Sequence, residues 1–287
     1  MKPNPKYLNN TNPEFWANIK LISQKLGYTE GRTKRIKIHN LESILELYKE
    51  EQFNSNKIIF NDEITEFGQL ILDYFEYRAE ALNDYVQHSL MNLDEARDMY
   101  SDMYKKYQPK VSVPMNKQGG VKRAVNYFTG IIHILLEANI GAYSISYSAS
   151  ELTAFTLKRV PYRSLSRRVD GSFPSVINPI ALWEIKEYYH TTTFGSRVAD
   201  GVYETQLDGL ELAEIRKTLD RPIKHYLMID SKNTWWNLGR SYLCRLFDMM
   251  HMGLVTEVIF GKEAIERIPI ITKEWIQDYE RFKDFLE

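Results

Sequence analysis

The sequence predicts an α/β (α+β) chain, with a mixed central sheet flanked by helices over residues 111–287 and a helical region over residues 1–110. Two observations predict it. Up to about residue 110 apolar residues recur at spacings of three and four, the mark of amphipathic helices. Beyond that point short extended runs alternate with helical ones, in the order helix, strands, helix, strand, helix, strand. A chain of 287 residues has room for one large domain or for a core with a helical arm, and either can bury a substantial interior.

Taken in order, helices are expected over 14–26, 40–52, 65–90 and 93–107. In the third, Phe67, Leu70, Ile71, Tyr74 and Phe75 form the buried stripe, while Glu76, Arg78 and Glu80 are expected to face water. Asn40 and Asn92 stand where N-caps belong. The stretch 109–120, with its prolines and the Gly119-Gly120 pair, reads as a connector. Helical spacing returns over 122–138, and 148–158 is expected to form a further helical segment carrying Glu151. Residues 162–168 and 176–186 read as extended, separated by the turn-forming Asp170-Gly171-Ser172. A helix over 196–219, a strand over 224–229, a helix over 235–250, a strand over 254–260 and a closing helix over 274–285 complete the chain.

Composition narrows the function. The apolar share of 44% and charged share of 26% are ordinary for a globular protein, which argues against disorder and coiled coils. Cys244 is the only cysteine, so an internal disulfide and a multi-cysteine zinc site are both excluded, and a reducing, cytoplasmic setting is expected. The N-terminal residues lack the apolar core of a signal peptide, and the longest apolar stretch, 128–145, is broken by His133 and Glu137, so no membrane span is expected. The net charge of -1 hides a cationic middle: from 121 to 168 the bases Lys122, Arg123, Lys158, Arg159, Arg163, Arg167 and Arg168 face only Glu137 and Glu151.

The stretch from Val169, VDGSFPSVINPIALWEIK, carries the chemistry. Side chains alternate along a strand, so Glu184 and Lys186 project from one face while Ile185 points into the core. Asp170, in the turn before, can approach Glu184 and share a divalent cation with it. Asp230-Ser231-Lys232 offers a similar triplet after the strand over 224–229, but no hairpin feeds it, and Asp230 is read as a surface or supporting residue.

An acid near a strand start, then Glu-x-Lys on the next strand, then a helix and a further strand: this pattern resembles the PD-(D/E)xK nuclease superfamily, home of many type II restriction endonucleases. The resemblance covers roughly residues 148–260, with Val169 where the family often has proline. It implies a restriction endonuclease-like core and a magnesium ion held by Asp170, Glu184 and the Ile185 carbonyl. It also implies that Lys186 positions or helps deprotonate the attacking water and stabilises the charge that develops. Glu151 would supply an extra acid, and Gln206, on the following helix, would meet the site. The expected substrate is double-stranded DNA, with phosphate contacts from Lys122, Arg123, Arg163, Arg167, Arg168, Thr193, Ser196 and Arg197. A two-fold homodimer and a cognate methyltransferase would accompany a restriction enzyme. A nuclease effector of another anti-phage or repair system, and a non-catalytic DNA-binding protein, are the alternatives.

Overall fold

Side-chain caps start the N-terminal helices where the sequence places them. In the computed structural model of the protein, which describes residues 1–8, 12–116, 123–147, 150–190, 195–219 and 221–285, a short helix α1 (Pro5–Leu8) is followed by α2 (Pro13–Leu26) and α3 (Leu41–Glu50). The Asn40 side chain accepts from the Ser43 amide at the start of α3. Two short strands, β1 (Ile59–Phe60) and β2 (Glu63–Ile64), lead into α4 (Glu66–Glu80), which Thr65 caps. A π-helical turn, Ala81–Val86, joins α4 to α5 (Gln87–Ser89). Asn92 and Glu95 form a capping box at the head of α6 (Leu93–Tyr107).

Beyond α7 (Tyr127–Ile140) come the hairpin of β3 (Ala154–Leu157) and β4 (Val160–Ser164), then β5 (Gly171–Phe173), β6 (Ala181–Glu187), α8 (Ser196–Arg216), β7 (Lys224–Asp230), α9 (Arg240–His251), β8 (Glu257–Phe260) and α10 (Ala264–Phe282). The last four strands form one mixed sheet in the order β5-β6-β7-β8, antiparallel at β5/β6 and parallel elsewhere. Helices cover both faces, the layering of an α/β sheet whose strands are mostly parallel.

Strand alternation divides the interior. Ala181 and Trp183 of β6, Tyr226 and Met228 of β7, and Ile259 of β8 pack with α6, α7 and α10. Leu227, Ile229, Val258 and Phe260 point the other way, into a core shared by α2, α3, α4 and α9. A smaller cluster, Phe155, Leu165, Val169, Leu182, Leu212 and Ile215, seats the base of the β3–β4 hairpin against α8. Trp183 and Trp275 stack at 5.4 Å and 8° beneath β5.

That stack explains Gly171. It is the first residue of β5 and not part of a turn, and a Cβ there would lie 2.2 Å from Trp183 Cε2. Gly171→Ala is expected to destabilise the fold by about 1–3 kcal/mol through overpacking, a shift that urea unfolding followed by tryptophan fluorescence would register.

Further sequence expectations change. Residues 154–157 form a strand, not a helix, because Thr153 and Phe155 alternate into the interior and the segment pairs with β4 and beside Ile177. The strand expected from residue 176 begins only at Ala181, after Pro174 and Pro179, which cannot donate to a ladder. Arg78 is buried, 0% exposed, because α9 packs on what spacing alone marks as the outer face of α4 and supplies Asp248 as counter-charge. No helix is long and apolar enough among the described residues to cross a membrane.

Candidate functional site

The β5/β6 register builds the site. Gly171 lies opposite Trp183, so Asp170, one residue earlier, comes alongside Glu184 and Ile185. The Trp183 carbonyl accepts from the Asp170 amide at 3.1 Å, and Asp170 Oδ2 accepts from the Ile185 amide at 2.8 Å. Alternation along β6 turns Trp183 and Ile185 towards α7 and α10, and Glu184 and Lys186 towards α8. Lys186 Nζ lies 2.9 Å from Glu184 Oε2. The structure therefore brings Asp170, Glu184 and Lys186 together at the exit end of β6.

Helix α8 crosses over this group and adds two carboxylates that the sequence reading missed. Glu204 Oε2 lies 2.8 Å from Lys186 Nζ, and Asp208 Oδ2 accepts from Arg167 Nη1 at 2.7 Å. The same Arg167 atom donates to Glu184 Oε1 at 2.9 Å, while Nη2 stands 3.2 Å from Glu204. Gly201, one turn before Glu204, faces the same group: a Cβ there would lie 3.1 Å from Tyr188 Oη and in ordinary contact, 3.6 Å, with Lys186 Cδ. Residues 201, 204, 205 and 208 recur at helical spacing, so one stripe of α8 faces the site.

Four carboxylates thus meet two cations. Burial, then repulsion from Glu184, pushes Asp170 up to about 6, although Asp170 keeps an exposed surface and its burial comes from protein on its other sides. Burial outweighs the Arg167 contact at Asp208 and pushes it up to about 7. Burial also works against ionised Glu184, but Lys186 and Arg167 outweigh it and hold the carboxyl below its usual range. Lys186 is held above the usual lysine range, since Glu184 and Glu204 offset the desolvation of its ammonium. A lysine kept charged in this way orients water and neutralises anionic oxygen; it is poorly suited to accept a proton.

Hard oxygen donors and an excess of negative charge fit a divalent ion such as Mg²⁺. Asp208 Oδ1 lacks a hydrogen bond among the described residues, while Glu184 Oε2 is engaged by the Lys186 ammonium at 2.9 Å. No cluster of three His, Cys, Asp or Glu side chains suited to a metal occurs among the described residues. Asp170 and Glu184 with the Ile185 carbonyl would instead leave part of the shell to water and phosphate, as Mg²⁺ usually requires. Asp170 and Ile185 also border a cleft of about 460 Å³ with Glu187, Asn126, Thr129 and His133.

Other expected site residues fall elsewhere. Glu151 sits in a bend, not a helix, and lines a separate depression with Ser144, Ser146, Pro174 and Ser175 beyond the far end of β5. It is not part of the site. Gln206 lies about 200° around α8 from both Glu204 and Asp208 and flanks the helix, half-buried. Arg167 points into the carboxylates instead of outward, and exposed Arg163 bonds Glu214 at 2.6 Å. Arg123, Arg168, Ser196 and Arg197 are exposed, with the Arg197 carbonyl accepting from Tyr188 Oη at 3.0 Å. Lys122 and Thr193 lie outside the described residues. Asp230 is not on the surface: it is buried, accepting from the Met91 and Ser231 amides at 2.8 Å and from Tyr189 Oη. Its role is to tie β7 to the head of α6.

No curated protein and no solved structure matches the chain. Residues 1–85 match the model described as Domain of unknown function (DUF7690). Residues 91–275, which contain the sheet, α8 and every side chain of the candidate site, match the model described as Domain of unknown function (DUF7687). That match spans more than half of the chain, and the protein belongs to the DUF7687 family.

Proposed function

We propose that this chain is a magnesium-dependent endonuclease of the PD-(D/E)xK kind, hydrolysing phosphodiester bonds of double-stranded DNA as a type II restriction enzyme. The observation that carries the reading is the meeting of Asp170, from the residue before one strand, with Glu184 and Lys186 on its antiparallel neighbour. The order of two antiparallel strands, a crossover helix and a parallel strand also fits a restriction endonuclease-like core.

Asp170 and Glu184 would hold Mg²⁺ with the Ile185 carbonyl. When bound, the ion would neutralise charge on the scissile phosphate and acidify a coordinated water. Lys186 contributes a fixed ammonium that orients the attacking water and offsets charge on the phosphoryl oxygens. Glu204 anchors that ammonium from the far side. Arg167, bonded to Glu184 and Asp208, compensates the buried carboxylates. Cutting at a palindrome would call for a two-fold homodimer and, in the cell, a partner methyltransferase.

The occupation of Glu184 and Asp208 by Arg167 favours one second reading, a protein that grips DNA without cutting it. Incubation of the purified chain with plasmid DNA and Mg²⁺ separates the two. Discrete fragments that disappear with EDTA support the restriction reading, and a smear points to a nuclease effector of another defence or repair system. Bound but intact DNA favours the second reading, and DNA neither bound nor cut overturns both.

A further inference from the structure

The hairpin of β3 and β4 stands out because it buries so little of itself. All five residues of β4 are exposed, Val160 by 64%, and Leu157, Val160 and Tyr162 are large apolar side chains left in solvent. Its base is fixed: Phe155 and Leu165 are buried against α8, and Asn178 Oδ1 accepts from the Thr156 amide at 2.8 Å. Its tip is the two-residue turn Lys158-Arg159, in which both residues hold a positive φ, 52° and 66°. Such a turn is normally given to Asn-Gly or another pair that adopts left-handed backbone at little cost. Here two long cationic side chains occupy it.

In sequence, basic residues continue from the tip to Arg168, with Arg163 paired to Glu214 of α8 at 2.6 Å. Between Glu151 and Asp170 the chain carries Lys158, Arg159, Arg163, Arg167 and Arg168 and no acidic residue. Arg167, next to last in this run, lies inside the carboxylate cluster, so one stretch of chain joins the hairpin to the candidate centre. The major groove of duplex DNA admits a two-stranded ribbon, and its walls are phosphates. Cations at a ribbon tip can reach both walls, and exposed aliphatic side chains beside them can lie against thymine methyl groups on the floor.

We propose that the β3–β4 hairpin is a recognition ribbon that enters the major groove of the duplex, with Lys158 and Arg159 on phosphates and Leu157 and Val160 against base edges. The inference rests on the DNA-cutting reading above and assigns an element that grips the substrate away from that centre, beside the C-terminal end of α8, where Tyr162 meets Thr218 and Arg163 meets Glu214.

Replacing Lys158→Asn together with Arg159→Gly removes both charges while keeping a turn that the backbone prefers. The full-length variant is then titrated against a fluorescein-labelled DNA duplex, by anisotropy in Ca²⁺ to prevent cutting, across a series of salt concentrations. The expected result is a thermal midpoint no lower than that of the parent chain, binding weaker by about tenfold or more at 100 mM salt, and a salt slope shallower by about two. Leu157→Ser with Val160→Ser should weaken binding without changing the slope. Unchanged affinity and slope in the Asn-Gly variant overturn the proposal, as does equal competition by an RNA duplex, whose deep, narrow major groove excludes a ribbon. A parent chain that binds no DNA duplex overturns it as well. Plasmid cleavage that persists beside unchanged ribbon-variant binding sinks this inference alone and leaves the nuclease reading standing.

Discussion

Lys186→Ala is expected to lower the DNA cleavage rate by roughly 10²–10³-fold, the usual cost of removing one preorganised charge from a developing transition state. The argument is geometric. The Lys186 ammonium sits between Glu184 and Glu204 at 2.9 and 2.8 Å, at the exit end of β6, and alanine removes that charge. Glu184 keeps Arg167 as a partner, so the variant should fold and bind DNA with little change. Single-turnover cleavage, run beside an anisotropy titration, checks both halves of the expectation. Loss of binding in step with loss of cleavage would mean that Lys186 holds the substrate and not the chemistry.

Arg78→Ala should produce a large loss of stability. Arg78 and Asp248 are 0% and 3% exposed, and Arg78 Nη1 meets both carboxylate oxygens at 3.1 and 3.2 Å. Tyr74 Oη donates to the same carboxylate at 2.6 Å, and Arg78 Nη2 donates to Ser23 Oγ at 3.0 Å. Burial works against the guanidinium, but Asp248 more than offsets it and holds Arg78 above its ordinary range. Removing it strands Asp248 as an uncompensated charge where α2, α4 and α9 meet, at a cost of about 3–5 kcal/mol. Chemical unfolding measures the loss directly. Adding Asp248→Asn to the variant should recover part of it, whereas an additive double variant would show that lost packing, not the stranded charge, dominates.

The local features were the legible ones. Asn40 and Asn92 are short polar side chains just before apolar periodic runs, and both cap as that chemistry requires. The strand expected over 224–229 forms and runs on to Asp230, and the pairing of Glu184 with Lys186 on one face follows from the two-residue period of extended chain. What escaped depends on partners remote in sequence. Arg78 looks like a water-facing residue until α9 arrives, 170 positions later, with Asp248. Glu204 and Asp208 look like solvated charges on α8, and only the rotation of that helix over β6 separates them from Gln206. Arg167 reads as one of several basic surface residues because nothing local says that it turns inward. The helix expected at 148–158 failed for a related reason: β3 gains its ladder from β4 and its burial from Phe155, neither of which is a property of the segment alone.

The most direct test of the account is binding of Mn²⁺, a paramagnetic stand-in for Mg²⁺, followed by electron paramagnetic resonance on the full chain and on an Asp170→Asn, Glu184→Gln double variant. The account predicts that the parent chain binds the ion and cuts DNA in the same sample, and that the variant, folded by circular dichroism, loses both. Equal ion binding by the two proteins, or cleavage that survives in the variant, would contradict it.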